Sequence, residues 1–251
     1  MSSGIRSRHR RRRGAGSAEG APSRLAHLPA AGLVVLLTLA LLAAWHGWKT
    51  VQAALRIKSL ETELRQLEQV NSALRPPSMA DLRQRFVDLG APAQPAEAEL
   101  RARLWWLLAR MAPTPAERVG ALREAQTLLR AALAERAGWP YTWLLLAQVE
   151  YALSPREPAG GIALAAALEI GVRGLLLQKQ MLEVWQQADS YLDPILRSRL
   201  QAALRIGIRD HGFDLARELR HSVHLDWICG DPENYARVPV WCADQGWPEP
   251  R

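Results

Sequence analysis

The first block of hydrophobic residues in the chain is long and unbroken. From Leu28 to Trp45 it holds 18 residues without a charge, and it extends through Trp48 before Lys49. A helix needs about 20 apolar residues to cross the hydrocarbon core of a bilayer. The pattern therefore predicts a single transmembrane helix over residues 28–48, with the two tryptophans at a membrane interface. A cleaved signal peptide is the alternative, but the long polar region ahead of the block and the helical pattern after it disfavour it.

A second apolar pattern follows directly, in residues 49–75. Its apolar positions alternate at spacings of four and three, which is typical of the seam of a coiled coil. The predicted seam consists of Ile57, Leu60, Leu64, Leu67, Asn71 and Leu74. Asparagine at one core position favours a parallel dimer. Two interpretations stay open: a weak parallel homodimer, or an amphipathic helix that packs on its own domain or on another membrane protein.

The rest of the chain shows helical periodicity and no convincing alternation of period two. A helix is predicted over residues 96–111, and Thr114-Pro115-Ala116-Glu117 reads as the capped start of the next helix. Further starts fall at Trp139-Pro140 and Asp193-Pro194, and a last helix is predicted from Asp214 to Val223. We therefore expect an all-α protein: a transmembrane helix, a short coiled-coil-like helix, and then an α-hairpin array resembling degenerate tetratricopeptide repeats. An irregular helical bundle is the alternative.

These patterns divide the chain into five segments with different expected roles. They are a disordered basic tail (1–27), the transmembrane helix (28–48), the heptad helix (49–75), the helical domain (76–230) and a Pro-rich C-terminal tail (231–251).

The charge of the chain is concentrated at its start. The formal net charge is +7, and residues 1–24 hold seven arginines against one acid, whereas the remainder is nearly neutral. Under the positive-inside rule this cluster stays in the cytoplasm, where anionic lipid accounts for its basicity without nucleic acid. The expected location is the bacterial inner membrane, with the N-terminus cytoplasmic and the C-terminal domain periplasmic.

The two cysteines, Cys229 and Cys242, allow three states. A disulfide between them is favoured, because thiols in an oxidising periplasm tend to pair. Two free buried thiols are the next possibility. A zinc site with His221 and His224 is disfavoured, since the spacing matches no common zinc finger.

No other group of residues indicates catalysis. The sequence contains no G-x-S-x-G, P-loop or G-x-G-x-x-G motif. Asp210 beside His211 reads as a surface pair. Trp105, Trp106 and Trp143 have the residue type that stacks on sugar rings, but their helical spacing favours core packing. We therefore expect no enzyme, no cofactor and no metal.

One segment carries a family resemblance. Trp139-Pro140-Tyr141-Thr142-Trp143, preceded by the Leu/Ala-rich residues 128–133, resembles the VpsP family of bacterial polysaccharide-biosynthesis proteins. The likeness covers about residues 100–230, and the chain departs from it at Gly171–Gly174, where the family has a glycine-proline-tryptophan turn. The resemblance implies an accessory role in exopolysaccharide or capsule production at the inner membrane, with no catalytic residues.

The sequence thus predicts a non-catalytic, membrane-anchored scaffold that presents a helical domain to polysaccharide-assembly or other envelope proteins. A bitopic coiled-coil scaffold of a division or secretion complex is the alternative. A periplasmic carbohydrate-binding or metal-binding protein is a third possibility.

Overall fold

The computed structural model describes residues 30–69, 81, 84, 88, 90–171, 173–218 and 225–247. All regular structure in these residues is helical, which confirms the predicted all-α class and the long apolar helix followed by helical hairpins. By their contacts the residues fall into two compact units, Met1–Lys49 and Thr50–Arg251.

The first helix, α1 (Ala30–Gln69), carries the apolar block. Its segment Gly32–Thr62 is long and apolar enough to span a membrane, with a mean hydropathy of 1.5. The side chains of this block are exposed on all sides, from Leu33 to Trp48. The hydroxyl of Thr38 donates to the carbonyl of Val34 at 2.8 Å, so its polar group is satisfied within the helix. An apolar surface that surrounds a helix on every side suits lipid as its solvent.

Besides the part of α1 from Thr50 onward and a 3-10 helix at Asp189–Tyr191, the second unit contains nine α-helices whose bounds the structure describes. They are α2 (Pro95–Met111), α3 (Pro115–Glu135), α4 (Pro140–Leu153), α5 (Pro158–Ile170), α6 (Leu175–Ala188), α7 (Pro194–Glu218), α8 (Leu225–Gly230), α9 (Pro232–Tyr235) and α10 (Pro239–Asp244). Seven of these nine begin with proline. Proline suits the first position of a helix because its φ is already helical and the missing N–H would have no partner there.

Two predicted helix starts are confirmed by their capping bonds. The Thr114 hydroxyl accepts a hydrogen bond from the backbone N–H of Glu117 at 3.2 Å and donates to its carboxylate at 2.9 Å. The Asp193 carboxylate accepts from the backbone N–H groups of Ile195 and Leu196. The helix that Asp193 opens runs to a kink at His211, where the backbone is not helical, and a second helical part continues to Glu218. The predicted last helix from Asp214 lies in that second part of α7, and its predicted end at Val223 lies outside the described residues.

Three helical hairpins build the core: α2 with α3, α4 with α5, and α6 with α7. Helix α4 is central, in contact with α3, α5 and α6. It is buried on nearly all sides, from Leu144 to Tyr151. This explains why its sequence lacks a polar stripe.

The part of α1 in the second unit packs on α2. Leu60 and Leu64 are buried against Leu104, with Leu100 and Leu107 around them. This is the intramolecular alternative of the two that the heptad pattern left open. In the same seam Ile57 is half-buried. The side chains of Leu67, Asn71 and Leu74 lie outside the described residues.

The sequence predicts that the Pro-rich segment 231–251 is a tail beyond the domain, but the structure places part of this segment inside the domain. It contains α9 and α10, and Val238, Trp241 and Cys242 are buried in the main core. The reason is that the buried side chains of Val238 and Trp241, together with the disulfide of Cys242, hold this segment in the core. Short helices of four to six residues could not form without that support.

Helices α4 and α5 lie in close contact at Gly160. A Cβ atom built at this glycine would lie 2.9 Å from the ring of Tyr151, which is closer than real contacts allow. At the next position, a Cβ on Gly161 would lie 3.5 Å from Leu196, an ordinary van der Waals distance. The two adjacent glycines therefore differ in the space around them: Gly160 is pressed against the Tyr151 ring, whereas Gly161 has room for a methyl group beside Leu196 and the Tyr151 hydroxyl.

Substituting these glycines should have opposite effects. Gly160→Ala is expected to lower the free energy of unfolding by about 1–3 kcal/mol, because the tyrosine ring must move. Gly161→Ala is expected to raise it by up to about 1 kcal/mol, because alanine favours the helix. Urea unfolding of both variants measures the contrast. Equal effects of the two substitutions would contradict the close approach.

Candidate functional site

Buried hydrogen bonds fix the first hairpin to α4. Glu150 of α4 is 5% exposed and accepts from Gln126 and Arg130 of α3, each at 2.8 Å. Glu99 of α2 accepts from Thr142 of α4 at 2.5 Å. A buried carboxylate needs such donors, since burial without them is costly. The relative placement of α2, α3 and α4 is therefore specified by polar contacts as well as by apolar packing.

A second set of hydrogen bonds fixes α4 to α6. The side chain of Gln148, 1% exposed, donates to the carboxylate of Glu183 at 2.9 Å. Its backbone carbonyl accepts from the side chain of Gln187 at 3.0 Å. These bonds hold Glu183 and Gln187 in defined positions on the surface of α6.

Between these elements lies a groove of about 510 Å³, which we call the basic groove. Its lining comes from three helices, with α2 and α3 on one side and α6 on the other. The residues are Trp106, Arg110, Arg118, Lys179, Leu182, Glu183, Gln186 and Gln187.

The charge of the basic groove is positive. Three cationic side chains, Arg110, Arg118 and Lys179, face one carboxylate, Glu183. Within the described ranges, the guanidinium groups of Arg110 and Arg118 form no ion pair. Both arginines are exposed, so an anion can approach them from solvent.

The structure separates the two adjacent tryptophans of α2. Trp105 is 3% exposed and belongs to the core, as helical spacing favoured. Trp106 is half-buried and lines the basic groove. Consecutive residues lie about 100° apart around a helix, so one ring of this tryptophan pair faces the core and the other faces the groove. The sequence pattern alone did not say which ring faces outward.

The Trp139–Trp143 segment that carried the family resemblance forms the start of α4. Pro140 is the first residue of α4. The indole N–H of Trp143 donates to the carbonyl of Ala137 at 2.7 Å. The guanidinium of Arg136 lies 4.4 Å from the ring centroid of Trp139. Burial raises the pKa of the Tyr141 phenol, against the lowering effect of Arg103. These contacts close the α3–α4 turn and give the segment a structural role.

Cys229 of α8 and Cys242 of α10 form a disulfide. Both residues are completely buried, with Cα atoms 5.7 Å apart. Paired sulfurs cannot serve as thiolate ligands, so the zinc alternative fails at these positions. His221 and His224 lie outside the described residues. Elsewhere in the described part of the chain, no cluster of three His, Cys, Asp or Glu side chains is placed to hold a metal ion.

Asp231 links this C-terminal region to α7. Its carboxylate accepts from Arg205 at 2.9 Å and caps α9 through the backbone N–H groups of Glu233 and Asn234. Burial alone would raise the pKa of Asp231, but the bonds from Arg205 and the two N–H groups outweigh it and hold the pKa below its usual value. The carboxylate therefore stays charged and structural at neutral pH.

The remaining candidate side chains also have structural surroundings. Asp210 pairs with Arg209 at 3.1 Å, and His211 occupies the kink of α7. Tyr151 is buried under Gly160; burial, with the nearby Asp193 carboxylate, raises its pKa to about 12. A phenol with that pKa is not a base at neutral pH.

Comparisons of the chain with protein-family models, with curated proteins and with solved structures found no match. The features that bear on function are therefore the apolar helix, the disulfide and the basic groove.

Proposed function

We propose that this chain is a single-pass membrane protein whose second unit works outside the cytoplasm. The observation that carries the proposal is a buried disulfide on the C-terminal side of the apolar helix and an arginine cluster on its N-terminal side. Disulfides persist in oxidising compartments, and arginine-rich flanks stay in the cytoplasm. The two signals are independent, and both favour the same orientation.

Outside the cytoplasm, the second unit acts as a non-catalytic adaptor. What supports this is the helical-hairpin array, with polar contacts that fix its helices and a groove lined by three of them. Stacked helical hairpins commonly recognise other molecules through such concave surfaces. Anchoring the array to a membrane raises its local concentration near other membrane-bound partners.

The partners we propose are proteins that assemble or export an envelope polysaccharide. Support for this step comes from the resemblance of the Trp139–Trp143 segment to the VpsP family. The alternative of a coiled-coil dimer receives less support, because Leu60 and Leu64 of its seam are already covered by Leu104.

The orientation is tested by fusing a reporter after Arg251 of the full chain. Alkaline phosphatase, which folds only outside the cytoplasm, is expected to be active there, and green fluorescent protein at the same site should be dark. A matched chain with the six arginines between residues 6 and 13 changed to glutamine should lose its preference for placing the C-terminus outside the cytoplasm. Fluorescence without phosphatase activity in the unchanged chain would overturn the proposal.

The polysaccharide role is tested in the host bacterium by deleting the gene and measuring surface polymer. We expect the polymer to fall, and the full chain to restore it. Residues 50–251 exported behind a cleavable signal peptide should restore it poorly, because the adaptor then diffuses freely. Unchanged polymer in the deletion strain would contradict this role and leave the orientation result standing.

A further inference from the structure

Two cationic side chains of the basic groove, Arg110 and Arg118, form no ion pair with the residues that the structure describes. Arg110 stands in the last turn of α2 and Arg118 in the first turn of α3, on either side of the short α2–α3 turn. Cations stabilise the end of a helix but oppose the dipole at its start. Arg118 is therefore placed where it opposes the helix dipole, in a groove that it lines together with Arg110.

The floor of the groove is fixed before anything binds. Gln148, buried between α4 and α6, holds the carboxylate of Glu183, and Gln187 is bonded to the backbone of α4. Glu183 retains acceptor capacity toward the groove, since a carboxylate has about four lone-pair sites. The exposed amide of Gln186 can both donate and accept. A ligand that carries N–H donors as well as anions matches this mixture.

The wall supplied by Trp106 adds apolar area to the charged groove. Trp106 is half-buried and packs against the core, so part of its side chain stays exposed. An aliphatic side chain of a ligand can cover that part, and the gain depends on the apolar area covered.

We propose that the basic groove binds an acidic, extended segment of a partner protein. Carboxylates of the segment pair with Arg110 and Arg118, its backbone N–H groups donate to Glu183, and an aliphatic side chain covers Trp106. Arginine pairs with carboxylates in a two-bond geometry, which gives direction as well as charge. The inference rests on the proposed adaptor function and specifies the chemistry of its partner.

The experiment uses the full chain in lipid nanodiscs and a fluorescent 12-residue peptide of alternating Glu and Ser with one central Leu. Fluorescence anisotropy measures its Kd. Binding should weaken several-fold between 50 and 300 mM salt, because the contacts are charged and exposed. Arg110→Glu with Arg118→Glu should weaken it at least tenfold. Arg123→Glu is the matched control: it is an exposed arginine of the same helix, outside the groove, and should change the Kd less than twofold.

A second pair of variants tests the apolar contact. Trp106→Ala should weaken binding of the Leu-containing peptide and leave the peptide with Ser in place of Leu unchanged. Circular dichroism and thermal melting of each variant establish that it is folded.

Three outcomes would overturn the inference. They are no binding by the unchanged chain, an equal loss with Arg123→Glu, or tighter binding of oligogalacturonate, which would make the groove a site for acidic sugar. The proposed function fails separately, through the reporter fusions and the deletion strain.

Discussion

Glu97→Ala is expected to lower the free energy of unfolding by about 3–5 kcal/mol, because it removes a buried carboxylate that pairs with a buried guanidinium. Glu97 is completely buried and Arg101, one turn later, is 3% exposed; the two form an ion pair within α2. The same carboxylate accepts the backbone N–H of Ala93 at 3.0 Å, and Arg101 donates to the carbonyl of Gly90 at 2.6 Å. The substitution therefore removes the charge that holds the 90–94 segment onto α2.

Urea unfolding followed by circular dichroism measures the effect. The double variant Glu97→Leu with Arg101→Met should recover most of the loss, since apolar side chains of similar volume can replace a buried ion pair. The control is Asp210→Ala, which removes the exposed pair with Arg209 and should cost less than about 1 kcal/mol. A cost for Glu97→Ala as small as that of the control would mean that the pair is not buried.

Removing the disulfide is the second large change. Cys229→Ala with Cys242→Ala should lower the free energy of unfolding by about 3 kcal/mol, because the unfolded chain regains the freedom of a closed loop. The two residues are 13 positions apart, and the loop holds α9 and Trp241 in the core. The two substitutions should mainly weaken the packing of α8, α9 and α10 against α7.

The measurement includes a reduced sample of the unchanged protein. Its unfolding midpoint should fall to that of the double variant when the disulfide is reduced in denaturant before refolding. The variant itself should not respond to reductant. If the unchanged protein is equally stable with and without reductant, the bridge does not form, and the compartment argued from it loses one of its two supports.

Several features followed from the sequence because their causes are local. A long apolar block predicts a spanning helix by length alone, and α1 carries that block. Proline at a first helical position and the capping residues Thr114 and Asp193 fixed where helices begin. The contacts behind these predictions run between residues at most a few positions apart.

Other features depended on which surfaces meet. The heptad pattern allowed either a dimer or packing on the same chain, and in the structure Leu60 and Leu64 pack against Leu104 of the same chain. The C-terminal Pro-rich segment read as a tail because its helices are too short to be predicted, yet it is part of the core.

By itself the sequence determined the helical class, the apolar segment suited to a membrane and the sites where several helices start, since periodicity, length and capping act over a few residues. Only the tertiary structure decided that Trp105 is core and Trp106 lines a groove, that Glu97 and Arg101 are buried together, and that Arg110, Arg118 and Lys179 line the same groove. These facts depend on which helices pack against one another, as when α6 brings Lys179 to the groove of α2 and α3, and no local pattern encodes that packing.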